Sequence, residues 1–225
     1  MSADAGVPMS GRALIDDERG TLPKARVEAF SDGVIAIIVT ILVLDIKVPA
    51  LAGPDPETAL RNALLQAFPL VLAYVLSFTV LLVFWVAHHH LLHSLKRVDR
   101  NVLWLNGLFL MVLAFVPAPT ALMGEHPRLA GAAVIYGLVL TLAGLSFFGL
   151  RWYATGRAAL IDRAIGNVVA KRALRRSLLS PALYALGAAL ASVDVRVAWL
   201  LFAAVPLIFI VPSGFDHAAH RIDRA

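Results

Sequence analysis

Four stretches of this 225-residue chain carry no Asp, Glu, Lys or Arg at all: Leu64 to Ala87, Val102 to Met123, Leu129 to Leu150 and Val197 to Phe215, of 24, 22, 22 and 19 residues. Each is long enough, as a helix, to cross a hydrocarbon core about 30 Å thick. With 60% hydrophobic and 16% charged residues, the chain cannot clothe a soluble domain of this size. It contains no cysteine, so disulfides, thiolate nucleophiles and Cys-ligated metal sites are excluded.

Two weaker segments add to these four. Ser177 to Val193 is a 17-residue uncharged run rich in Ala and Gly, which suits a span packed closely on a neighbour. Glu28 to Lys47 contains Asp32 and Asp45 and has a strictly uncharged centre, Gly33 to Leu44, of only 12 residues. Charge placement decides whether it crosses. Lys and Arg near span ends are retained in the cytoplasm, and with six spans the 20 basic residues divide 16 against 4, the minority being Lys47, Arg61, Arg128 and Arg196. Without the first crossing, Arg12, Arg19, Lys24 and Arg26 change sides and the division weakens to 12 against 8. The expectation is an all-α membrane protein with six transmembrane helices and both termini cytoplasmic. The net charge of +5 then reports topology, and no nucleic-acid partner is needed.

Residues 1 to 25 have no apolar core and read as a cytoplasmic tail, residues 26 to 216 as the membrane domain, and residues 217 to 225 as a second tail. Between the fourth and fifth spans, Trp152 to Arg176 reads either as an interfacial helix, with Lys171, Arg172, Arg175 and Arg176 near anionic headgroups, or as a basic loop that only sets topology.

Ionisable groups inside spans are costly and face a bundle interior, so each is a candidate site. On a wheel at 100° per residue, Gly33, Thr40, Ile41 and Leu44 lie within about 60° of Ile37. Ser31 and Asp32 point elsewhere, near 120° and 220° on the same wheel. Asp32 would there meet other helices of its own bundle, where an imidazole and an amide, His88 and Asn106, are available to satisfy it. A clasp of Ser31, Asp32, Trp85, His88 and Asn106 is one reading. A proton relay from Asp32 to His88, as in a proton-coupled secondary transporter, is the other. His89 and His93 share one helix face at i, i+4, but no carboxylate follows before Asp99, so no metal site is expected. GxSxG, HExxH and paired intramembrane aspartates are absent, and no enzyme activity or cofactor is expected.

The run from Arg26 through Phe30, Ser31, Asp32, Ile37, Thr40 and Leu44 to Asp45 resembles the R-x-x-x-F-S-D signature and first helix of the lysosomal potassium channel family, transmembrane protein 175 and its bacterial relatives. Trp85-Val-Ala-His88 resembles the W-x-x-H of the second helix, and Leu105-Asn106 with Pro117 resembles the third. The resemblance implies a six-helix subunit forming a homotetramer around a central pore lined by the first helix, in a bacterial inner membrane, with potassium as the permeant ion and no carbonyl filter. It assigns Ile37 to the narrowest ring, Ile41 and Leu44 to further apolar rings, and Thr40 to selectivity. Arg26, Phe30, Ser31, Asp32, Trp85, His88 and Asn106 match the interhelical network. Ala36 stands where some relatives carry Ser, which removes one hydroxyl layer. Asp45, Asp55 and Glu57 would form an acidic outer mouth; a solvated loop is the plainer reading of the same three residues.

Overall fold

The computed structural model describes residues 24–47, 55–156, 160 and 167–210. Among these every element of more than one residue is a helix, as expected where backbone polar groups must be satisfied without water. In order come α1 (Lys24–Ile41) with a 3-10 turn (Leu42–Asp45), α2 (Pro56–His93), α3 (Arg100–Ala114), α4 (Pro117–Glu125), α5 (Ala130–Gly156), α6 (Asn167–Ser177), α7 (Leu179–Ala191) and α8 (Val195–Ile210). The 1–23 and 211–225 ends, which hold most of the N-terminal tail and all of the C-terminal one, lie outside the described residues.

Local chemistry sets the boundaries. Asp55 caps α2, its carboxylate accepting from the Thr58 amide at 3.1 Å, with Pro56 at the first helical position, where a missing N–H costs nothing. The Thr58 hydroxyl on the same carboxylate holds the Asp55 pKa below its ordinary value. Asp99 caps α3 through the Val102 amide at 2.9 Å. The third apolar run does not make one helix: it breaks at Phe115 and Val116, and Pro117 opens α4. Proline cannot donate to the carbonyl four residues back and its ring clashes there.

Among the described residues, four segments are long and apolar enough to cross a membrane: Lys24–Asp45, Pro56–His93, Arg100–Glu125 and Ala130–Gly156. At 13 and 16 residues, α7 and α8 rise about 20 and 24 Å. The 38-residue α2 rises about 57 Å and projects beyond any bilayer core. The long-range bonds show which ends lie together. Lys24 Nζ donates to the His93 carbonyl, Arg151 Nη1 and Nη2 to the carbonyls of Ala173 and Ala87, and Arg176 Nη2 to that of Ile208. The start of α1, the ends of α2, α5 and α8, and α6 therefore share one end of the bundle. Trp199 Nε1 reaches the Pro127 carbonyl at the other end.

Helix α5 is the hub, packed against α3, α4, α6, α7 and α8, whereas α1 rests mainly on α2 and α3, with its 3-10 turn on α2 and α4. Small residues let the hub helices approach closely. A Cβ on Gly187 would stand 2.5 Å from Phe202, and one on Gly137 would stand 2.8 Å from the same ring. Phe202 is fully buried, with Tyr136 and Tyr184 rings at 5.3 and 6.2 Å, so it has little room to yield. Gly187→Leu is expected to lower stability by about 1–3 kcal/mol or more through overpacking, read as a fall in the thermal unfolding midpoint of detergent-purified protein. Gly33→Ala, where a Cβ meets nothing within 4 Å, should leave that midpoint unchanged. Equal midpoints for the two variants would mean that Phe202 moves aside freely.

The segment Trp152 to Arg176 is not one interfacial helix. Its first residues, through Gly156, complete the last turn of α5; the described helix that follows is α6. Residues 157–159 and 161–166 lie outside the described residues.

Candidate functional site: the two faces of the first helix

Helix α1 is divided along its length. Val27, Ser31, Ile35 and Ile38, with Leu42 in the 3-10 turn, are buried against the subunit. These positions step by three or four, the helical repeat of one face. The other side is bare: Phe30, Gly33, Ala36, Ile37, Thr40, Ile41 and Leu44 are all exposed, Ile37 at 60% and Leu44 at 71%. The stripe around Ile37 is thus the face of α1 that the rest of the chain leaves uncovered.

Thr40 adds a polar element to that stripe. Its Oγ1 donates to the Ile37 carbonyl at 2.8 Å, which uses the hydroxyl proton and leaves both oxygen lone pairs available. The exposed Thr40 therefore presents an acceptor.

The buried face is held by a three-residue chain across three helices. Asn106 Nδ2 donates to Ser31 Oγ at 2.9 Å, Ser31 Oγ donates to the Val27 carbonyl at 2.8 Å, and His88 Nε2 lies 2.7 Å from Asn106 Oδ1. An amide oxygen only accepts, so the histidine proton sits on Nε2. The His88 ring stacks on Phe109 with centroids 5.5 Å apart. Its Nδ1 is buried without a partner. All three polar residues are at most 3% exposed.

The arrangement corrects the sequence reading in detail. Asp32 is not satisfied by the imidazole and the amide; Ser31 takes the amide, and Asp32 Oδ1 accepts from Trp85 Nε1 at 2.8 Å. One residue along a helix is a 100° turn, which puts Ser31 on the buried face and Asp32 on its flank. No hydrogen bond joins Asp32 to His88 among the described residues. Arg26 and Phe30 are exposed and take no part in these bonds within the subunit. At the far end Asp45 is half-buried while Asp55 and Glu57 are exposed. His89 and His93 stack with ring centroids 6.2 Å apart.

A second polar cluster was not anticipated. Ser77 Oγ lies 2.7 Å from Thr120 Oγ1 and 3.0 Å from the Tyr136 hydroxyl, tying α2, α4 and α5. The clue was available: Ser77 and Thr120 are hydroxyls in apolar runs, and such groups need partners when buried. Near the His93 end, the Tyr153 hydroxyl donates to Asp99 at 2.9 Å and accepts from Asn101 at 2.8 Å.

Comparison with known proteins places this geometry. Residues 26–117, which hold most of α1 and the whole Ser31–His88–Asn106 chain, match the family described as endosomal/lysosomal potassium channel TMEM175. A potassium channel of Streptomyces collinus is 42% identical over 173 residues, 75% of this chain and 82% of that protein. The chain belongs to the TMEM175 family. A crystal structure of a lysosomal potassium-selective channel TMEM175 homologue from Chamaesiphon minutus superposes with a TM-score of 0.72 at 34% identity, covering 83% of this chain and 95% of that one. The human relative, described as an endosomal/lysosomal proton channel, is 38% identical over 117 residues, 48% of this chain and 23% of its own length. This TMEM175 family member is an all-helical, membrane-embedded protein.

Proposed function

We propose that this protein is a potassium-permeable channel in which four copies surround an axis lined by α1, in a bacterial inner membrane. The observation that carries the reading is the bare stripe of Gly33, Ile37, Thr40, Ile41 and Leu44 on a helix whose opposite face is clamped to its own subunit. A helix held on one face and uncovered on the other by ion-compatible, chemically ordered residues suits a pore wall. Membership of a family whose relatives are described as potassium channels supports the ion. Helices α7 and α8, with the four longer segments, make six passes; the basic end holding Lys24, Arg100 and Arg172 is the cytoplasmic one.

In this reading Ile37 forms the tightest ring, with Ile41 and Leu44 outside it. A narrow apolar ring blocks ions by dewetting when closed and conducts when it widens enough to hold water. Four Thr40 acceptors beside the ring replace part of the water lost there. Potassium, which sheds water more easily than sodium, is favoured, and no TVGYG carbonyl filter is required. Asp45, Asp55 and Glu57 would repeat around the outer mouth and raise the local cation concentration. Arg26 and Phe30, exposed in one subunit, are placed to complete the network against a neighbouring copy.

The test is potassium flux from liposomes containing purified protein, with no proton gradient or other coupled ion. Flux down the potassium gradient supports a channel; no flux without an imposed proton gradient would sink it. In the same preparation Thr40→Ala is expected to lower the potassium-to-sodium permeability ratio several-fold. An unchanged ratio would remove Thr40 from the ion path.

A further inference from the structure

Prolines at 117 and 119 take two N–H donors out of the ladder that would carry α3 across the break at Phe115 and Val116. A joint short of two rungs resists rotation weakly, so the position of α4 depends on what its side chains meet. They meet α2 at two points one turn apart. Thr120 Oγ1 lies 2.7 Å from Ser77 Oγ, and a Cβ on Gly124 would stand 2.9 Å from the Leu70 Cα. A side chain at 124 would force the two helices apart.

Every hydroxyl proton in the first contact can be placed. Thr120 Oγ1 donates to the Val116 carbonyl at 2.8 Å, so it accepts from Ser77. Ser77, its one proton spent, accepts from the Tyr136 hydroxyl at 3.0 Å. The three residues are at most 4% exposed. Their chain runs from Tyr136 on α5 through Ser77 on α2 to Thr120 on α4 and ends on a carbonyl at the break itself, so it pins the joint between α3 and α4 from two sides.

Helix α4 also supports the far end of α1. The 3-10 turn rests on α2 and α4, with Leu42 buried and Leu44 bare on the same turn. The Ser31–Asn106–His88 clamp lies about 16 Å back along the helix axis from Leu42. Hydrogen bonds in a 3-10 turn have poorer geometry than those of an α-helix, so the turn takes its position from what backs it.

We infer that the Ser77–Thr120–Tyr136 chain is a positioning device for the outer end of α1: it fixes α4, α4 backs the 3-10 turn, and the turn sets where Leu44 stands in the ion path. This role rests on the reading of α1 as the pore wall for its last step alone. The three hydroxyls touch no ion and act through α4. With the pin cut, the turn shifts more freely, and a Leu44 ring that widens more often stays wet more of the time.

Thr120→Val cuts the pin while keeping the shape. The Ser77 hydroxyl can then turn to a carbonyl of its own helix, as Thr79 does to that of Val75, so folded protein is expected. Thr120→Ser keeps the hydroxyl and loses a methyl group. In full-length purified protein, Thr120→Val should exchange amide hydrogens several-fold faster in the 3-10 turn and α4, with no change in the first turns of α1. Potassium flux from liposomes should rise several-fold in the same variant, and Thr120→Ser should match wild type in both measurements. Ser77→Ala, which breaks the same bond from α2, should reproduce Thr120→Val. Wild-type exchange in the turn for Thr120→Val or Ser77→Ala overturns the role. So does a Thr120→Ser protein as altered as Thr120→Val, which would make lost packing the cause, and so does faster exchange in the turn with wild-type flux. A wild-type protein that passes no potassium, while Thr120→Val still loosens the turn, refutes the channel reading and upholds α4 as the backing of α1.

Discussion

Liposomes carrying Ile37→Asn protein are expected to lose potassium at least ~10-fold faster than wild-type liposomes at equal protein content, a change that corresponds to roughly 1.4 kcal/mol off the conduction barrier. The argument starts from exposure. Ile37 is 60% exposed within the subunit, so the fold does not depend on its side chain. In the proposed four-copy assembly, four such residues would face one axis. An Ile ring repels the water that an ion must carry through it; an Asn ring offers donors and acceptors to that water, so the constriction stays wet at a smaller diameter. Ile38 is the internal control. It is one position along and only 4% exposed, buried among Val27, Ile35 and Leu42. Ile38→Asn should not leak; it should fail to accumulate as folded protein, because an amide buried without partners is strongly destabilising. If folded Ile37→Asn protein showed wild-type flux, α1 would not line the ion path.

Much of this contrast was legible in the sequence, because a period of 3.6 and a few polar letters define a helix face. The wheel separates Ile37, Thr40, Ile41 and Leu44 from Ser31, and the same stripe is bare in the structure. His88 and Asn106, named together as partners for one buried group, are 2.7 Å apart. What the wheel lacked was the position of the neighbouring helices. It gives the angle between Ser31 and Asp32 but not which of them meets α3, so Asn106 was assigned to the carboxylate when it bonds the hydroxyl. The break at Phe115 and Val116 had a visible cause in Pro117, yet hydropathy is blind to it, since a broken and an unbroken apolar run score alike. Ser77, Thr120 and Tyr136 escaped notice for a related reason. A hydroxyl can be satisfied by its own helix, as Thr79 and Thr141 are by the carbonyls of Val75 and Gly137, so only tertiary contact reveals the one that is not. Arg151 was counted as a topology marker, and its burial between α2 and α6 follows from helix packing that no single segment encodes.

The clamp predicts the second large effect, and it separates a structural network from a proton path. Asn106→Leu keeps the approximate volume but removes both an acceptor and a donor. His88 Nε2–H and the Ser31 hydroxyl oxygen, at 1% and 0% exposure, then lose their shared partner. An unsatisfied buried group costs roughly 1–3 kcal/mol, and His88 already carries one unpartnered nitrogen, Nδ1. Ser31 can still donate to the Val27 carbonyl, so its share lies at the low end. A loss of about 2–4 kcal/mol is expected, visible as a large drop in unfolding midpoint or in yield of folded protein. Because this bond chain is what fixes the buried face of α1 to α2 and α3, the surviving protein should also show faster hydrogen exchange in α1 than in α5. Asp32→Asn should be milder, since an amide oxygen can still accept from Trp85 Nε1 at the 2.8 Å now observed. A relay gives the reverse order: Asp32→Asn abolishes transport while stability holds, and Asn106→Leu matters little to either. Measured together, the two midpoints and the two fluxes decide whether these intramembrane polar residues hold α1 in place or move a proton.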